Sequence, residues 1–369
     1  MPETSTIRST VTADGQLRVE LVNEPTPELG PDDLLVEVEA TPINPSDLGM
    51  LIAGADPASF DTVDGALVGR VPEAAVAANR ARLDQPMPCG NEGAGVVVDA
   101  GPSDVAQALL GKRIAGVSGS MYATHTTVSP MMCMEVPAGV TAEQAASSFV
   151  NPLTALGMTE TMRDEGHTAL VHTAAASNLG QMLVKICNDE GIGLVNIVRR
   201  PEQADLLRAS GADHVVDSSA DSFLDDLTVA LAATGATIAF DATGGGTYAD
   251  SILSCMETAL SQGSSFSRYG SDTHKQVYIY GGLQRSVTTL NRTYGMSWGV
   301  GGWLLTPFLG RIGPERMMGL RQRVSDEITT TFASHYAERI SLSDMLKPDV
   351  ARAYAAQATG EKRLVVPAR

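Results

Sequence analysis

The chain has 369 residues, which is too long for a single ordinary core and predicts two domains. Its charge of −17, without a basic block, excludes nucleic acid as the expected partner, since phosphate binding depends on clustered Lys and Arg. The four cysteines lie far apart, which excludes a disulfide framework and a cysteine-rich zinc site.

The N-terminal segment contains no apolar signal region, so we expect a cytoplasmic protein. The stretch most similar to a membrane span is the charge-free run over residues 293–310. Five glycines and Pro307 within it favour a buried loop or pocket wall over a span, and no membrane partner is predicted.

The first part of the chain has the patterns of β-strands. Residues 34–39 alternate between apolar and acidic side chains, residues 93–98 form an apolar run behind a glycine turn, and residues 117–128 indicate a further strand pair. Residues 55–88 form an insertion whose Ala-rich part begins at Pro72 and predicts a short helix.

From Thr141 the pattern changes to alternating strands and helices. Thr141 and Gln144 have the spacing of a capping box, which predicts a helix through Phe149. Strands are then predicted over residues 168–172, 193–198, 214–217, 238–241 and 277–280, and helices over residues 180–188, 202–210 and 248–260. A last helix (349–357) and strand (363–366) follow. This alternation predicts βαβ units and a doubly wound parallel sheet.

The turn over residues 174–180 joins an apolar strand to an amphipathic helix. Dinucleotide-binding turns use small residues so that the backbone can approach a pyrophosphate at a helix N-terminus. Ala175 and Ser177 occupy the first two glycine positions of that pattern, and Gly180 occupies the third, with Asn178 and Leu179 between them. The alternative is a small-residue turn of the kind found in any α/β protein.

Two arginines identify the cofactor that this turn would bind. Arg199 lies 24 residues after Ala175, where an NAD site normally has an acidic residue, and Arg200 follows it. Guanidinium groups there would bind the 2′-phosphate, which predicts NADPH rather than NADH. The alternative is that both arginines are simply solvated. Tyr280, Gly281 and Gly282 end a later strand, where glycines would permit close approach of a nicotinamide ribose or would serve only as turn residues.

Five segments resemble the medium-chain dehydrogenase/reductase superfamily, closest to its zinc-free quinone oxidoreductase and 2-enoyl thioester reductase branch. They are I-N-P-S-D (43–47), N-E-G (91–93), V-N-P-L-T-A (150–155), the 174–180 turn and Y-G-G (280–282). The resemblance implies a Rossmann domain inserted in a β-rich GroES-like catalytic domain. Expected boundaries are 1–150 for the catalytic part, 151–310 for the NADP-binding domain and 311–369 for the return. It also implies that Asn151 and Thr154 contact the cofactor, and that the protein is a homodimer.

The same resemblance bears on metal and substrate. Asn91 stands at the position of a zinc-binding His and Asn44 near that of a Cys, and amides are poor zinc ligands, so no metal is predicted. Asn44 and Asp47 are candidate polar groups at the substrate end, although the same segment would also suit an Asx-type turn that caps a helix. Trp303 corresponds to a tryptophan that lines the acyl pocket, or is a core or interface residue.

The function that the resemblance implies is zinc-independent, NADPH-dependent hydride transfer to an activated acceptor: an enone, an enoyl thioester or a quinone. The tyrosine that enoyl thioester reductases carry after the I-N-P-S-D segment is absent, and Tyr122, Tyr294 or the insertion would have to replace it. One alternative is a catalytically weak NADPH-binding sensor or interaction protein. Another is a zinc-free alcohol dehydrogenase, which would lack help in oxidising an unactivated alcohol.

Overall fold

The computed structural model describes residues 3–368, which form two compact units. The first unit contains the chain through Val150 and again from Arg321, and the second runs from Asn151 to Leu320. The chain therefore leaves the first unit, forms the second, and returns. In the described part of the chain, no helix is both long and apolar enough to cross a membrane.

The strands of the described residues follow in chain order. They are β1 (Glu3–Val11), β2 (Gln16–Pro25), β3 (Leu34–Pro42), β4 (Asp61–Val63), β5 (Ala66–Arg70), β6 (Met87–Pro88), β7 (Glu92–Ala100), β8 (Arg113–Val117), β9 (His125–Val128), β10 (Cys133–Glu135), β11 (Ala169–Thr173), β12 (Gly193–Val198), β13 (His214–Asp217), β14 (Ile238–Asp241), β15 (Gly244–Gly246), β16 (Lys275–Ile279), β17 (Gln284–Thr288), β18 (Trp298–Gly302), β19 (Glu338–Ile340) and β20 (Arg363–Val365).

The helices are α1 (Leu48–Leu51), α2 (Glu73–Ala78), α3 (Asp104–Gln107), α4 (Ala142–Ala145), α5 (Val150–Asp164), α6 (Asn178–Glu190), α7 (Pro201–Ala209), α8 (Phe223–Thr234), α9 (Tyr248–Ser261), α10 (Leu305–Asp326) and α11 (Pro348–Ala355). Short 3₁₀ helices cover Pro45–Asp47, Pro57–Ser59, Arg80–Arg82, Pro130–Met132 and Asp344–Leu346.

The first unit is built on two sheets. One has the strand order β4-β5-β2-β1-β6, and the other has the order β10-β8-β7-β3-β20-β19, with β9 also paired to β3. The C-terminal strand β20 pairs antiparallel with β3, which ties the returning chain to the N-terminal half of this unit. Ile7, Leu17, Leu51 and Leu67 are fully buried in one of its cores.

The second unit contains a six-stranded parallel sheet of order β13-β12-β11-β14-β16-β18. Its strands are apolar runs, as expected for a parallel sheet covered by helices on both faces. The order reverses between β11 and β14, so the sheet is doubly wound in the Rossmann manner. The predicted fold class, a Rossmann sheet inserted in a β-rich GroES-like domain, is confirmed.

Three predictions of local structure were wrong. Residues 117–128 are not a strand pair, because β8 ends at Val117 and pairs with β7 and β10, whereas β9 pairs with β3. The helix that begins after Thr141 has the predicted capping box but ends at Ala145, and α5 begins separately at Val150.

The third concerns residues 293–310, which were expected to form a loop or pocket wall but contain the sheet strand β18 and the start of α10. Gly299 in β18 explains why this strand was missed. A Cβ atom on Gly299 would lie 2.4 Å from Oε1 of Gln276 on the neighbouring β16, so glycine leaves room for this flexible side chain in a strand where the pattern suggested a loop.

Candidate functional site

The turn between β11 and α6 has the backbone arrangement of a phosphate-binding turn. Ala174 has a φ of 53°, and the side chains of Ala175 and Ala176 are buried and so point away from any ligand. Ser177 is the N-cap of α6, and its Oγ accepts the N–H of Gly180 at 3.1 Å. The N-terminus of a 13-residue helix therefore begins at the C-terminal end of a parallel strand, which favours an anionic ligand.

Gly180 allows α6 to pack closely on this turn. A Cβ atom at Gly180 would lie 2.0 Å from the carbonyl oxygen of Ala175, a distance that no side chain can tolerate. The third glycine of the fingerprint is thus required by the packing of helix against strand, even though the first two positions have changed.

The carboxyl ends of β11 and β14 meet where the strand order reverses. Thr173 Oγ1 donates to Oδ1 of the buried Asp241 at 2.7 Å and accepts the N–H of Ala242 at 2.8 Å. Asp241 also accepts the N–H groups of Thr243 and Gly244, at 2.8 and 3.1 Å. These hydrogen bonds join β11 to β14 at the point where the strand order reverses, which is where ligands bind in such sheets. Neither Thr173 nor Asp241 was predicted as a site residue, although Asp241 lies just before a glycine turn.

Arg199 and Arg200 follow β12 and precede α7. Both are exposed, and neither pairs with a carboxylate of residues 3–368. The N–H of Arg199 donates to Gln203 Oε1 at 3.1 Å, while Arg200 is the N-cap residue of α7 with Pro201 after it. Two guanidinium groups without a carboxylate partner among residues 3–368 therefore lie at a helix N-terminus, and β12 before them pairs with β11, which precedes the 174–180 turn.

Tyr280 follows β16, and its hydroxyl lies 2.7 Å from Nε2 of His172 on β11. Burial lowers the pKa of His172 to about 3, so this imidazole is neutral at physiological pH. His172 is fully buried. Gly281 packs on the backbone of Ala242, whereas the missing Cβ of Gly282 would point into open space, which leaves room for a ligand there.

The remaining predicted residues of the second unit lie on or against α5. Asn151 is partly buried and Thr154 is buried. Trp303 is 7% exposed, donates from Nε1 to Thr161 Oγ1 at 3.0 Å, and packs edge-on against Phe240. This is the placement of a core tryptophan, and a role for Trp303 in the substrate pocket stays a prediction.

In the first unit, Asn44 and Asp47 belong to a buried polar cluster. Asp47 accepts the N–H of Asn44 on Oδ2 at 2.7 Å and that of Asn91 on Oδ1 at 2.8 Å. The Asn44 N–H and the Asp47 carboxylate have the capping-box arrangement at the start of the 3₁₀ helix, and Asn44 Nδ2 donates to Oε1 of Glu92 at 2.7 Å. Oε2 of Glu92 in turn accepts the N–H of Val150 at 2.7 Å.

Burial and charge shift the ionisable groups of this cluster. Burial raises the pKa of Asp47 to about 7, against the opposing effect of its two backbone hydrogen bonds. Burial also raises the pKa of Glu92, and the positive charge of Lys362 opposes that rise. The pKa of Lys362 is lowered to about 8 by burial, and its Nζ donates to Ser147 Oγ at 2.7 Å. Lys362 was not predicted as a site residue, and Glu92 was noted only as part of the N-E-G motif.

The two tyrosines considered as replacements for the missing one are both core residues. Tyr122 is fully buried in the first unit and donates to the carbonyl of Pro42 at 3.1 Å. Tyr294 is fully buried in the second unit, edge-on to Trp298. Asn91 stands at the position of the zinc-binding His of zinc-dependent enzymes, and its Nδ2 donates to Ser46 Oγ at 3.1 Å. Within residues 3–368, no group of three or more His, Cys, Asp or Glu side chains is placed to hold a metal ion.

Comparison with known proteins agrees with this architecture. Residues 30–151 match the alcohol dehydrogenase GroES-like domain family. A mitochondrial enoyl-acyl-carrier-protein reductase of Xenopus tropicalis is 31% identical over 211 residues, which cover 54% of this chain and 51% of that protein. The human enzyme of the same name is 28% identical over 205 residues, covering 54% and 48%. The chain thus spans about half the length of these curated relatives.

Two solved structures share the fold over nearly the whole length. The quinone oxidoreductase of Escherichia coli, solved with NADPH, has a TM-score of 0.70 at 18% identity, covering 99% of this chain and 100% of that one. The quinone oxidoreductase of Pseudomonas syringae also has a TM-score of 0.70 at 18% identity, with the same coverage. Residues 30–151 thus match the alcohol dehydrogenase GroES-like domain family, and the whole chain has the fold of these solved quinone oxidoreductases.

Proposed function

We propose that this protein is an NADPH-dependent reductase that transfers hydride to an activated acceptor: an enone, an enoyl thioester or a quinone. The observation that carries the proposal is the pair of exposed, unpaired arginines after β12, beside the turn that opens α6. An acidic residue at this place would repel a 2′-phosphate, whereas two guanidinium groups attract it and form charge-assisted hydrogen bonds.

The residues present fit this cofactor. The N-terminus of α6, from Ser177 to Gly180, would hold the pyrophosphate, and Arg199 and Arg200 would hold the 2′-phosphate. The open space beside Gly282 would admit the nicotinamide ribose. When bound, NADPH supplies the hydride, so the chain need only bind and orient the reactants and exclude water.

An activated acceptor suits a site whose predicted polar residues include amides, because amides are poor ligands for a Lewis-acid metal. The electrophilic carbon of an enone or quinone is electron-poor and accepts hydride with little Lewis-acid assistance. Among the two predicted polar residues, both oxygens of Asp47 already accept backbone N–H groups. We therefore assign Asn44, rather than Asp47, as the polar group available to a ligand.

The decisive experiment removes both guanidinium groups and compares the two cofactors. In Arg199→Ala/Arg200→Ala, the Kd of NADPH should rise by about tenfold to a hundredfold, since hydrogen bonds to charged groups contribute about 1.5–3 kcal/mol. The Kd of NADH should change by less than about twofold, because NADH has no 2′-phosphate whose contacts with the two arginines could be lost. Arg208→Ala is the matched control, since Arg208 lies on α7, is exposed, and pairs with Asp205. Equal losses for the two cofactors would refute the 2′-phosphate assignment.

The acceptor is tested separately by stopped-flow oxidation of bound NADPH. A panel of quinones, enones and enoyl thioesters should include at least one member that accelerates the oxidation. Tight NADPH binding with no acceleration by any acceptor would remove the reductase proposal and leave an NADPH-binding protein without this catalysis.

A further inference from the structure

The orientation of the Asn44 amide is determined by its contacts. Oε2 of Glu92 accepts two backbone N–H groups, from Phe149 at 3.2 Å and Val150 at 2.7 Å. A backbone N–H can only donate, so this oxygen must be an acceptor. Burial raises the pKa of Glu92, and the positive charge of Lys362 opposes that rise. With Glu92 as the carboxylate, Oε1 is an acceptor as well, and the group of Asn44 that faces it at 2.7 Å is the NH₂.

The oxygen of the Asn44 amide takes no part in the hydrogen bonds of the described residues. Oδ1 of Asn44 is buried and has no hydrogen-bond partner among residues 3–368, although Asn44 as a whole is only 3% exposed. An asparagine before a short helix ordinarily caps that helix with this oxygen. Here the local bond runs the other way, from the Asn44 N–H to Asp47 Oδ2. A buried acceptor without a partner costs stability, and such atoms are uncommon unless they serve a ligand.

We infer that Glu92 is a positioning residue that holds the Asn44 amide with its oxygen toward a bound ligand, and thereby selects a hydrogen-bond donor. The inference rests on the proposed function for the identity of the ligands. An amide oxygen cannot bond to the carbonyl of a quinone, enone or thioester, because both groups only accept. Its partner is therefore a hydroxyl or an N–H, which both NADPH and a reduced product such as a hydroquinone possess.

Glu92→Gln tests this orientation without changing the size of the side chain. The Gln oxygen can still accept the N–H groups of Phe149 and Val150, but its NH₂ must then face Asn44. Two NH₂ groups cannot hydrogen-bond to each other, so the Asn44 amide turns over and presents its NH₂ to the ligand. Glu39→Gln is the control, because it makes the same change on β3, where Glu39 pairs with Arg113 and does not contact Asn44.

Binding is measured without turnover, so that the result does not depend on catalysis. The Kd values of NADPH, of a hydroquinone and of the dimethyl ether of that hydroquinone are determined by fluorescence and calorimetry. Glu92→Gln should weaken NADPH or the hydroquinone by about tenfold, the effect of one hydrogen bond with an unpaired group left behind. The ether has no donor and should not be weakened, and Glu39→Gln should bind all three as the wild type does.

The ligand that weakens identifies the source of the donor. If NADPH and the hydroquinone both stay within twofold of wild type in Glu92→Gln, the inference is overturned. If the Glu92→Gln protein does not fold, Asn44→Leu is used with the same ligands, the same expected loss and the same refuting result. Failure of the wild type to bind NADPH would contradict the proposed function, whereas normal NADPH and hydroquinone binding by the wild type and by the variant tested would contradict only the inferred contact of Asn44 and its positioning by Glu92.

Discussion

Replacing Gly180 by alanine tests the closest contact in the candidate cofactor site. Alanine is favoured over glycine by about 1 kcal/mol in a helix interior, so the change would ordinarily stabilise α6. Here the new methyl group would lie 2.0 Å from the carbonyl oxygen of Ala175 and 2.6 Å from its carbonyl carbon. Both obstacles are backbone atoms, which cannot move aside as a flexible side chain would.

The expected magnitude follows from these two opposing effects. Overpacking of a well-packed site costs about 1–3 kcal/mol, and the backbone contact places Gly180→Ala at the upper end or beyond. We expect a net loss of about 2 kcal/mol in the free energy of unfolding, measured by urea denaturation. Because the strain is relieved by moving the turn away from α6, the Kd of NADPH should also rise by about tenfold or more.

Gly319→Ala is the matched control for this substitution. Gly319 also lies in a helix, α10, but a Cβ atom there would meet nothing within 4 Å. It should therefore stabilise the protein by up to about 1 kcal/mol and leave NADPH binding unchanged. If Gly180→Ala is as stable as Gly319→Ala and binds NADPH as the wild type does, the close approach of helix and turn is not what requires glycine at position 180.

Three further predictions concern stability. Lys275→Met should cost about 3–5 kcal/mol, because it leaves Glu257 in a largely buried site without its 2.7 Å partner, and Lys275→Met/Glu257→Gln should recover much of that loss in urea denaturation. Trp303→Phe should cost about 1–2 kcal/mol through the lost bond to the buried Thr161, and an unchanged free energy of unfolding would show that this bond contributes nothing. Burial raises the pKa of Asp47 from 3.8 to about 7, so its contribution is complete below about pH 4 and is lost as the pH rises through 7. Relative to Asp47→Asn, the wild type should lose on the order of 4 kcal/mol between pH 4 and pH 8, and a difference that does not vary with pH would contradict this pKa.

The second unit was the part of the fold most readily predicted from the sequence. The bounds of β12, β13 and β14 agree with the prediction residue for residue. β12 and β14 lie inside the parallel sheet, so both of their faces are covered and their sequences are mostly apolar runs between polar turns. β13 is an edge strand, in which the apolar pair Val215-Val216 lies between His214 and Asp217. The helices between them are amphipathic, and this contrast makes the alternation of elements visible.

The β-rich unit was harder to predict because polar residues take buried positions. In β1 the buried residues include Thr4, Thr6 and Ser9, so the apolar alternation of this strand is weak. Ser9 is tolerated in the interior because its Oγ donates to the carbonyl of Leu51 at 3.0 Å. That partner lies in a different element, and no local pattern reveals it.

The same distinction between local and distant partners separates the candidate cofactor residues of the second unit from the polar cluster of the first unit. The determinants proposed for NADPH lie on two adjacent strands and the turns that follow them, so a spacing of 24 residues was enough to relate Ala175 to Arg199. The orientation of Asn44 depends on Glu92, which depends in turn on Val150 and Lys362, and these residues meet only because β20 returns to pair with β3.

Residue types alone therefore indicate that Asn44 is a polar group near a ligand, but not whether it donates or accepts. An amide carries both functions, and the choice between them is made by the neighbour that occupies one end. A carboxylate at that end leaves an acceptor free, whereas an amide or a protonated acid would leave a donor. We therefore expect the preference of this protein for one ligand group over another to depend on Glu92 and its surroundings as well as on Asn44, which makes the contact.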